Sequence, residues 1–281
     1  MHEQFQPTLK QCEPYVLATP LVEPGLNLHP LGLSIPPHLR LNPQHRRNAT
    51  FLNMIKRLDE LTFGPVGMPM PKWVFYDCAV MPGAVFGLCS PAAAMESWVK
   101  QSLGVPDDYE GPVPLSMFIA IPMLDEGSWL VYTICDINEI APGAAPGGLA
   151  ELTMVLGIAS FQIQTLWGTT QWRAHKLRLP AQLGPLTLMT AYTPAHTLPR
   201  TLTYRTIIAP DGLAAVLSEP EIHPFCPPAT HVIDADDVSQ LKWLQNEIEQ
   251  QVRWQIVGPP QRRGAYTLLP LRREAPTNHT K

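Results

Sequence analysis

Charged side chains are scarce in this sequence: Asp, Glu, Lys and Arg make up only 16% of its 281 residues. An average soluble domain has about a quarter. The net charge is −4, whereas a surface that binds nucleic acid needs concentrated positive charge. We therefore expect no nucleic-acid partner. No apolar run is long enough to cross a bilayer, so we also expect no membrane span.

Cysteine motifs are absent as well. The five cysteines are widely spaced and form no CxxC pair, so the sequence implies neither a disulfide framework nor a zinc site. The first residues, Met1 to Gln6, lack the basic start and apolar core of a signal peptide. These features favour a reduced, cytoplasmic setting and a protein without a metal site.

The common nucleotide and hydrolase motifs are missing too, including GxGxxG, GxxxxGK[ST], GxSxG and HExxH. Gly147 and Gly148 precede a predicted helix, and the start of a helix can receive an anion. The surrounding residues lack the lysine, serine or threonine that would contact a phosphate, so the pair is more simply a helix start. We expect no cofactor.

Proline is abundant, with 32 residues spread along the chain, which indicates many stiff loops. Residues 1–45 are proline-punctuated and weakly periodic, and we interpret them as an extended arm. Residues 46–272 are predicted to form a single α+β domain, and residues 273–281 a flexible tail.

Apolar periodicity places helices and strands along the domain. A mostly antiparallel sheet or partial barrel is expected, with about four helices and the proline-rich N-terminal arm, because hairpins separated by single helices favour the α+β class. The helix at 152–166 could also be read as a strand, since β-branched residues occur within it. Helices are predicted at 48–61, 90–104, 152–166 and 238–252, strands at 73–80, 84–89, 113–123, 129–135, 184–192 and 200–208, and a hairpin near 211–212.

Acidic residues mark two of the predicted strands. Asp77 lies inside an apolar run, where a carboxylate is either a general acid or base of raised pKa or points to solvent by strand alternation. Asp136 and Glu139 follow the strand at 129–135 and could act as paired carboxylates, although this is also ordinary turn chemistry. Trp129, at the start of that strand, belongs to the aromatics that could line a ligand pocket.

A histidine at a strand end is the strongest single candidate for proton transfer. His196 follows the strand at 184–192, and a histidine titrates near neutral pH. Tyr192 could donate a hydrogen bond, while Arg200 and Arg205 could hold an anion. The alternative is a loop histidine with one structural hydrogen bond. A second cationic group, His175 with Arg173 and Arg178, suits a carboxylate or an acyl oxyanion, or is solvated surface.

The order of elements over residues 72–208 resembles the layout of acetoacetate decarboxylase-like proteins: a hairpin, a helix, two strands, a helix and paired strands. That family's catalytic lysine pair has no counterpart here, because Lys72 and Lys176 are isolated and neither lies in a matching motif. We therefore transfer no residue and no activity from the family.

These observations lead to three hypotheses. The first is a cofactor-independent enzyme, of the lyase, decarboxylase or isomerase type, that acts by acid/base chemistry on a lipophilic small molecule with a carbonyl or carboxylate. Its catalytic residues would be His196, Asp77, Asp136 and Tyr192. The second is a binding protein that holds a hydrophobic ligand without chemistry. The third is an interaction protein whose low surface charge marks a homo-oligomer interface.

Overall fold

The computed structural model of the protein describes residues 3–17, 33–71, 73–74, 84–172, 177–196, 198–209, 211–218, 227–258, 260–264 and 266–274. Contacts within the chain divide it into two compact units, Met1–Ile163 and Gln164–Lys281, and each unit is described by itself. The boundaries predicted for an arm at 1–45, a domain at 46–272 and a tail at 273–281 stay predictions.

The first unit builds a mixed sheet with helices packed on it. Its strands follow the order β2-β1-β3-β5-β6, with β4 beside β3. The β1–β2 pair is parallel and the β1–β3, β3–β5 and β5–β6 pairs are antiparallel. The strands are β1 Glu13–Leu17, β2 Arg40–Leu41, β3 Ala84–Pro91, β4 Pro112–Pro114, β5 Ser116–Pro122 and β6 Ser128–Asp136, and the helices are α1 Gln6–Gln11, α2 Ala49–Phe63, α3 Ser97–Leu103 and α4 Leu149–Ser160.

Helix α4 is the central helix of this unit. It is apolar on nearly all sides, with nine of its twelve residues buried, as expected of a helix enclosed by other elements. It contacts β3, β5 and β6. Gly157 of α4 lies directly on the Phe118 ring of β5, where an added Cβ would approach the ring to 2.5 Å. A close helix–sheet contact therefore holds the connection between β6 and α4 in place.

The second unit is an antiparallel sheet covered by α7. Its strand order is β7-β9-β8-β11-β13-β10, with β12 beside β13. Alternate residues of β8, β9, β11 and β13 are buried, and Leu241 and Leu244 of α7 pack against them. The strands are β7 Thr165–Gln171, β8 Leu186–Thr190, β9 Thr201–Ile207, β10 His231–Asp234, β11 Trp254–Ile256, β12 Gln261–Arg263 and β13 Tyr266–Arg273, and the helices are α5 Arg178–Leu183, α6 Gly212–Ser218 and α7 Val238–Glu249.

The predicted fold class is wrong. The described residues contain thirteen strands with mixed pairing and seven α-helices, not a partial barrel with about four helices. Residues 13–17 of the supposed arm form β1, which lies between β2 and β3, with Tyr15, Val16 and Leu17 fully buried. The expected hairpin near 211–212 is replaced by α6. Short elements of five to seven residues carry too few periods for a pattern to reveal them.

The start of α7 illustrates a local signal that can be tested. The Asp237 side chain accepts hydrogen bonds from the backbone N–H groups of Ser239 and Gln240, at 2.8 and 3.4 Å. These bonds lower its pKa. Asp237→Ala removes this N-cap, and we expect the midpoint of unfolding in urea to fall. An unchanged midpoint would show that the cap is not formed.

Candidate functional site

The polar residues at the end of β6 organise the candidate site. Asp136, the last residue of β6, is 8% exposed, and its Oδ1 accepts the N–H of Asn138 at 2.7 Å. Burial raises the pKa of Asp136 to about 6, and the neighbouring carboxylates of Glu139 and Glu151 add to the rise. The hydrogen bond from Asn138 acts in the opposite direction. A carboxyl group of this kind can exchange a proton near neutral pH.

Asn138 then fixes the loop that connects β6 to α4. Its side-chain oxygen accepts the N–H of Ala145 at 3.0 Å, and its amide nitrogen donates to the carbonyl of Pro146 at 3.2 Å. Gly148 precedes α4 with φ +73°, the left-handed region that favours glycine. Asp136 therefore forms a hydrogen bond with Asn138, the residue that fixes the shape of this loop.

This loop forms one wall of a cavity of about 420 Å³, called here the Lys10 cavity. Lys10 supplies a positive charge, and its neighbour Cys12 is a buried free cysteine. Burial raises the pKa of the Cys12 thiol to about 11, so this thiol stays neutral and is a poor nucleophile at pH 7. The lining consists of residues 10–12, Ser90, Pro91, Ala94, Met95, Leu115 and residues 144–146.

The N-terminal segment also reaches the start of α4. The Phe5 ring lies 3.0 Å from the position that a Cβ on Gly148 would take, and the hydroxyl of Thr8 donates to the carbonyl of Gly147 at 3.4 Å. Among the described residues, no side chain caps the first N–H groups of α4. The space over the helix start is therefore bounded by Phe5, while the Lys10 cavity lies beside the preceding loop.

The other predicted residues of the first unit lie in different surroundings. Glu139 is exposed in the turn after β6, and its charge acts on Asp136. The Trp129 ring lies 5.7 Å from the Phe161 ring, between centroids, which is a packing contact. Asp77, Arg173 and His175 lie outside the described residues. Of the predicted set in this unit, the structure brings together Asp136 and Glu139.

In the second unit the predicted residues make local contacts. The Nδ1 atom of His196 accepts the N–H of Leu198 at 2.9 Å, which closes a turn. The Tyr192 ring lies 5.6 Å below the ammonium group of Lys242. Arg200 forms an ion pair with Asp236 at 3.2 Å. These contacts explain the residues structurally, and their functional roles stay predictions.

Arg205 is the exception in the second unit, because it lines a cavity of about 210 Å³. Its guanidinium carbon lies 5.9 Å from the centre of the Trp167 ring. Sequence reasoning missed the second arginine of this cavity, Arg253, and also missed Lys10. Neither lies near a recognisable motif, and only the fold places them beside a cavity.

The described residues contain neither a metal-binding cluster nor a membrane-spanning helix. No group of three or more His, Cys, Asp or Glu side chains is arranged to hold a metal ion. No helix in the described part of the chain has the length and apolar character needed to cross a membrane.

No family model and no curated protein matches the chain. The chain is similar only to solved structures, three of which follow. The ribosomal-protein-S18-alanine N-acetyltransferase from Escherichia coli matches with 15% identity and a TM-score of 0.37, over 56% of this chain and 88% of that one. A chain of the NatC complex bound to Gag peptide and CoA matches with 13% identity and a TM-score of 0.41, over 60% and 97%. FeeM, an N-acyl amino acid synthase from uncultured soil microbes, matches with 11% identity and a TM-score of 0.37, over 70% and 91%.

The prediction of a cofactor-independent lyase, decarboxylase or isomerase for a lipophilic molecule is wrong. Among the structures above, one is named an N-acetyltransferase and one an N-acyl amino acid synthase; none is named a lyase, a hydrophobic-ligand carrier or an interaction protein. The expected hydrophobic pocket is also corrected, because polar and charged residues line both cavities described above.

Proposed function

We propose that the first unit transfers an acyl group from an anionic donor to an amine, with Asp136 as general base. The observation that carries the proposal is the connection between a buried carboxyl group and a ligand-sized cavity. Asp136 bonds to Asn138, and Asn138 holds the loop that walls the Lys10 cavity. At about 420 Å³ the cavity is within the usual range for small-molecule sites.

The cavity suits the anionic end of an amphiphilic donor. Lys10 offers a cation at the cavity, while Met95 and Leu115 offer apolar surface. The thiol of Cys12 is neutral because burial raises its pKa to about 11, so it would pack against the ligand rather than react with it. A CoA thioester has this character, and CoA is the ligand named for the NatC complex. Lys10 and the N–H groups at the start of α4 would hold its phosphates, with Phe5 limiting the space there.

Asp136 would provide the proton transfer that the reaction requires. An amine is protonated at pH 7 and must lose a proton before its nitrogen can attack the thioester carbon. Asp136, with a pKa of about 6, is ionised at that pH and is a stronger base than an ordinary aspartate. Asp136 takes the first proton, and the new C–N bond forms as the C–S bond breaks. The second proton of the nitrogen passes to the leaving thiolate, which departs as a thiol, and Asp136 returns its own proton to solvent.

Calorimetric titration with acetyl-CoA and with CoA tests the cavity. We expect Lys10→Gln to raise both dissociation constants about tenfold, because a charge-assisted contact to an anion is lost. Lys100→Gln is the matched control: it removes the same charge from α3, outside the lining, and should change the constants less than twofold. Equal affinities in the wild type and Lys10→Gln, or no binding below about 1 mM, would refute the proposal.

A reducing, cytoplasmic setting is part of this proposal. It is supported by Cys12, Cys89 and Cys135, which are buried and carry free thiols. Burial raises the pKa of the Cys12 and Cys89 thiols, and all three buried cysteines would serve as small apolar core residues.

A further inference from the structure

The second unit contains a cavity that the proposed transfer reaction does not use. It has a volume of about 210 Å³ and lies where β8 and β9 meet the segment between α7 and β11. We name it the Arg205 cavity, after the residue that β9 contributes. Its polar lining comes from Thr187, Arg205, Gln251 and Arg253, and its apolar lining includes Met189 and Ile248.

Strand alternation places Arg205 on the less buried face of the sheet. On β9, Leu202, Tyr204 and Thr206 are buried in the unit, whereas Arg205 is only half-buried. In the pairing register Arg205 stands opposite Thr187 of β8 and Trp167 of β7. The arginine stem is thus fixed by neighbours on both sides, and the Trp167 ring lies beside its guanidinium group.

Arg205 has an unmet hydrogen-bonding capacity. Its Nε atom is buried and finds no acceptor among the described residues. A buried donor without a partner costs about 1–3 kcal/mol, so such donors are rare and point to an additional acceptor. Because the donor belongs to a residue that lines a cavity, that acceptor can be a ligand.

Arg253 brings a second positive charge to the same cavity. Its backbone carbonyl accepts the N–H of Glu274 at 2.9 Å, which fixes the start of β11, while its side chain is exposed. Within the described residues, no carboxylate forms an ion pair with Arg205 or Arg253.

The acidic residues of this region have other partners. Glu247 pairs with Arg273 at 3.5 Å, Glu249 accepts from Gln245 at 3.0 Å, and Glu274 accepts from Gln255 at 2.6 Å. Within the described residues, Arg205 and Arg253 therefore line the cavity without an acidic partner, whereas the nearby Arg273 is paired with Glu247.

We propose that the Arg205 cavity binds a compact oxyanion, the phosphate or carboxylate of a small metabolite. The guanidinium fork matches the geometry of both groups and binds them through paired N–H donors. Gln251 and Thr187 can complete the hydrogen bonding, and Met189 and Ile248 can contact a short carbon chain. The volume is below the usual range for larger ligands, so a nucleotide does not fit.

Calorimetric titration of the full chain with inorganic phosphate, and separately with acetate, tests this site at ionic strength held constant with chloride. We expect one or both anions to bind with a dissociation constant below about 5 mM. Arg205→Gln and Arg253→Gln should each weaken that binding at least tenfold, as expected when a charged hydrogen-bond donor is lost. Arg262→Gln is the matched control, because Arg262 is exposed on β12 and lies outside the lining; it should change binding less than twofold.

Binding of phosphate alone would identify a phosphorylated metabolite, and binding of acetate a carboxylic acid. The absence of binding for both anions would overturn the proposal, as would equal affinities in the wild type and Arg253→Gln. Arg253 is exposed, so that variant remains informative if Arg205→Gln does not fold. If neither anion binds, the proposed acyl transfer is not affected, because the two cavities have no lining residue in common. Lys10→Gln should accordingly leave anion binding at the Arg205 cavity unchanged.

Discussion

Asp136→Asn is expected to lower the turnover number for acyl transfer about 100-fold or more and, at the same time, to stabilise the protein at pH 7. General-base catalysis contributes about 10²–10⁴-fold, and asparagine cannot accept the proton. Asparagine keeps the side-chain oxygen that accepts the N–H of Asn138, so the loop next to the Lys10 cavity should keep its shape. The affinity for the donor should accordingly change less than twofold.

The gain in stability follows from the direction of the pKa shift. Burial raises the pKa of Asp136 from 3.8 to about 6, so the folded state binds the proton more tightly than the unfolded state. The stability from this group is complete below about pH 4 and is lost as the pH rises to about 6. At pH 7 the ionised carboxylate costs about 3 kcal/mol. Asparagine removes this cost, and the difference between variant and wild type should vanish below about pH 4.

Asp59→Asn provides the matched control for this experiment. Asp59 is 1% exposed, its Oδ2 accepts the N–H of Met70 at 2.6 Å, and burial raises its pKa. Its replacement should stabilise the protein at pH 7 without changing turnover, because Asp59 does not bond to the loop beside the Lys10 cavity. Urea titrations between pH 4 and 8 and a pH–rate profile measure both effects. If Asp136→Asn gains stability but keeps its turnover, Asp136 is not the base.

Sequence reasoning placed the elements whose signals are local. The apolar stripe of α7 continues through Leu241 and Leu244, both buried, and Gly104 ends α3 in the left-handed conformation. The helix predicted at 90–104 began too early, since Ser90 and Pro91 belong to β3. Serine followed by proline is typical of a helix start, but here the pairing of β3 with β4 decides the conformation.

Contacts between residues distant in sequence could not be predicted in this way. Strand β1 pairs with β3, about 70 residues later, and no pattern in residues 13–17 reveals that partner. The candidate site also depends on contacts between distant residues. The position of Asp136 at a strand end predicts a role for it, whereas Lys10 reaches the cavity only through the packing of α1. In the second unit, Arg205 was proposed as an anion ligand, but its partner Arg253 lies beyond α7, 48 positions along the chain.

The pairing of β1 with β3 gives the second large expected effect, through Gly87. This residue stands opposite Tyr15 in the register. A Cβ at Gly87 would lie 2.2 Å from the backbone carbonyl of Ser116 and 2.4 Å from the Tyr15 ring. Tyr15 is fully buried, and its hydroxyl donates to that same carbonyl at 2.8 Å. Because backbone and a fixed ring occupy the space, the added methyl group can be accommodated only if the strands separate.

Gly87→Ala is therefore expected to lower the free energy of unfolding by about 4 kcal/mol or more, at the severe end for a single substitution. Gly64→Ala is the control, because Gly64 has helical dihedral angles and nothing within 4 Å of an added Cβ, so alanine should stabilise by about 0.4–1 kcal/mol. Thermal and urea unfolding of both variants measure the difference. A Gly87→Ala protein within about 1 kcal/mol of the wild type would mean that β1 does not pair with β3 in this register. The N-terminal residues that place Lys10 beside the loop from β6 to α4 would then lose their anchor.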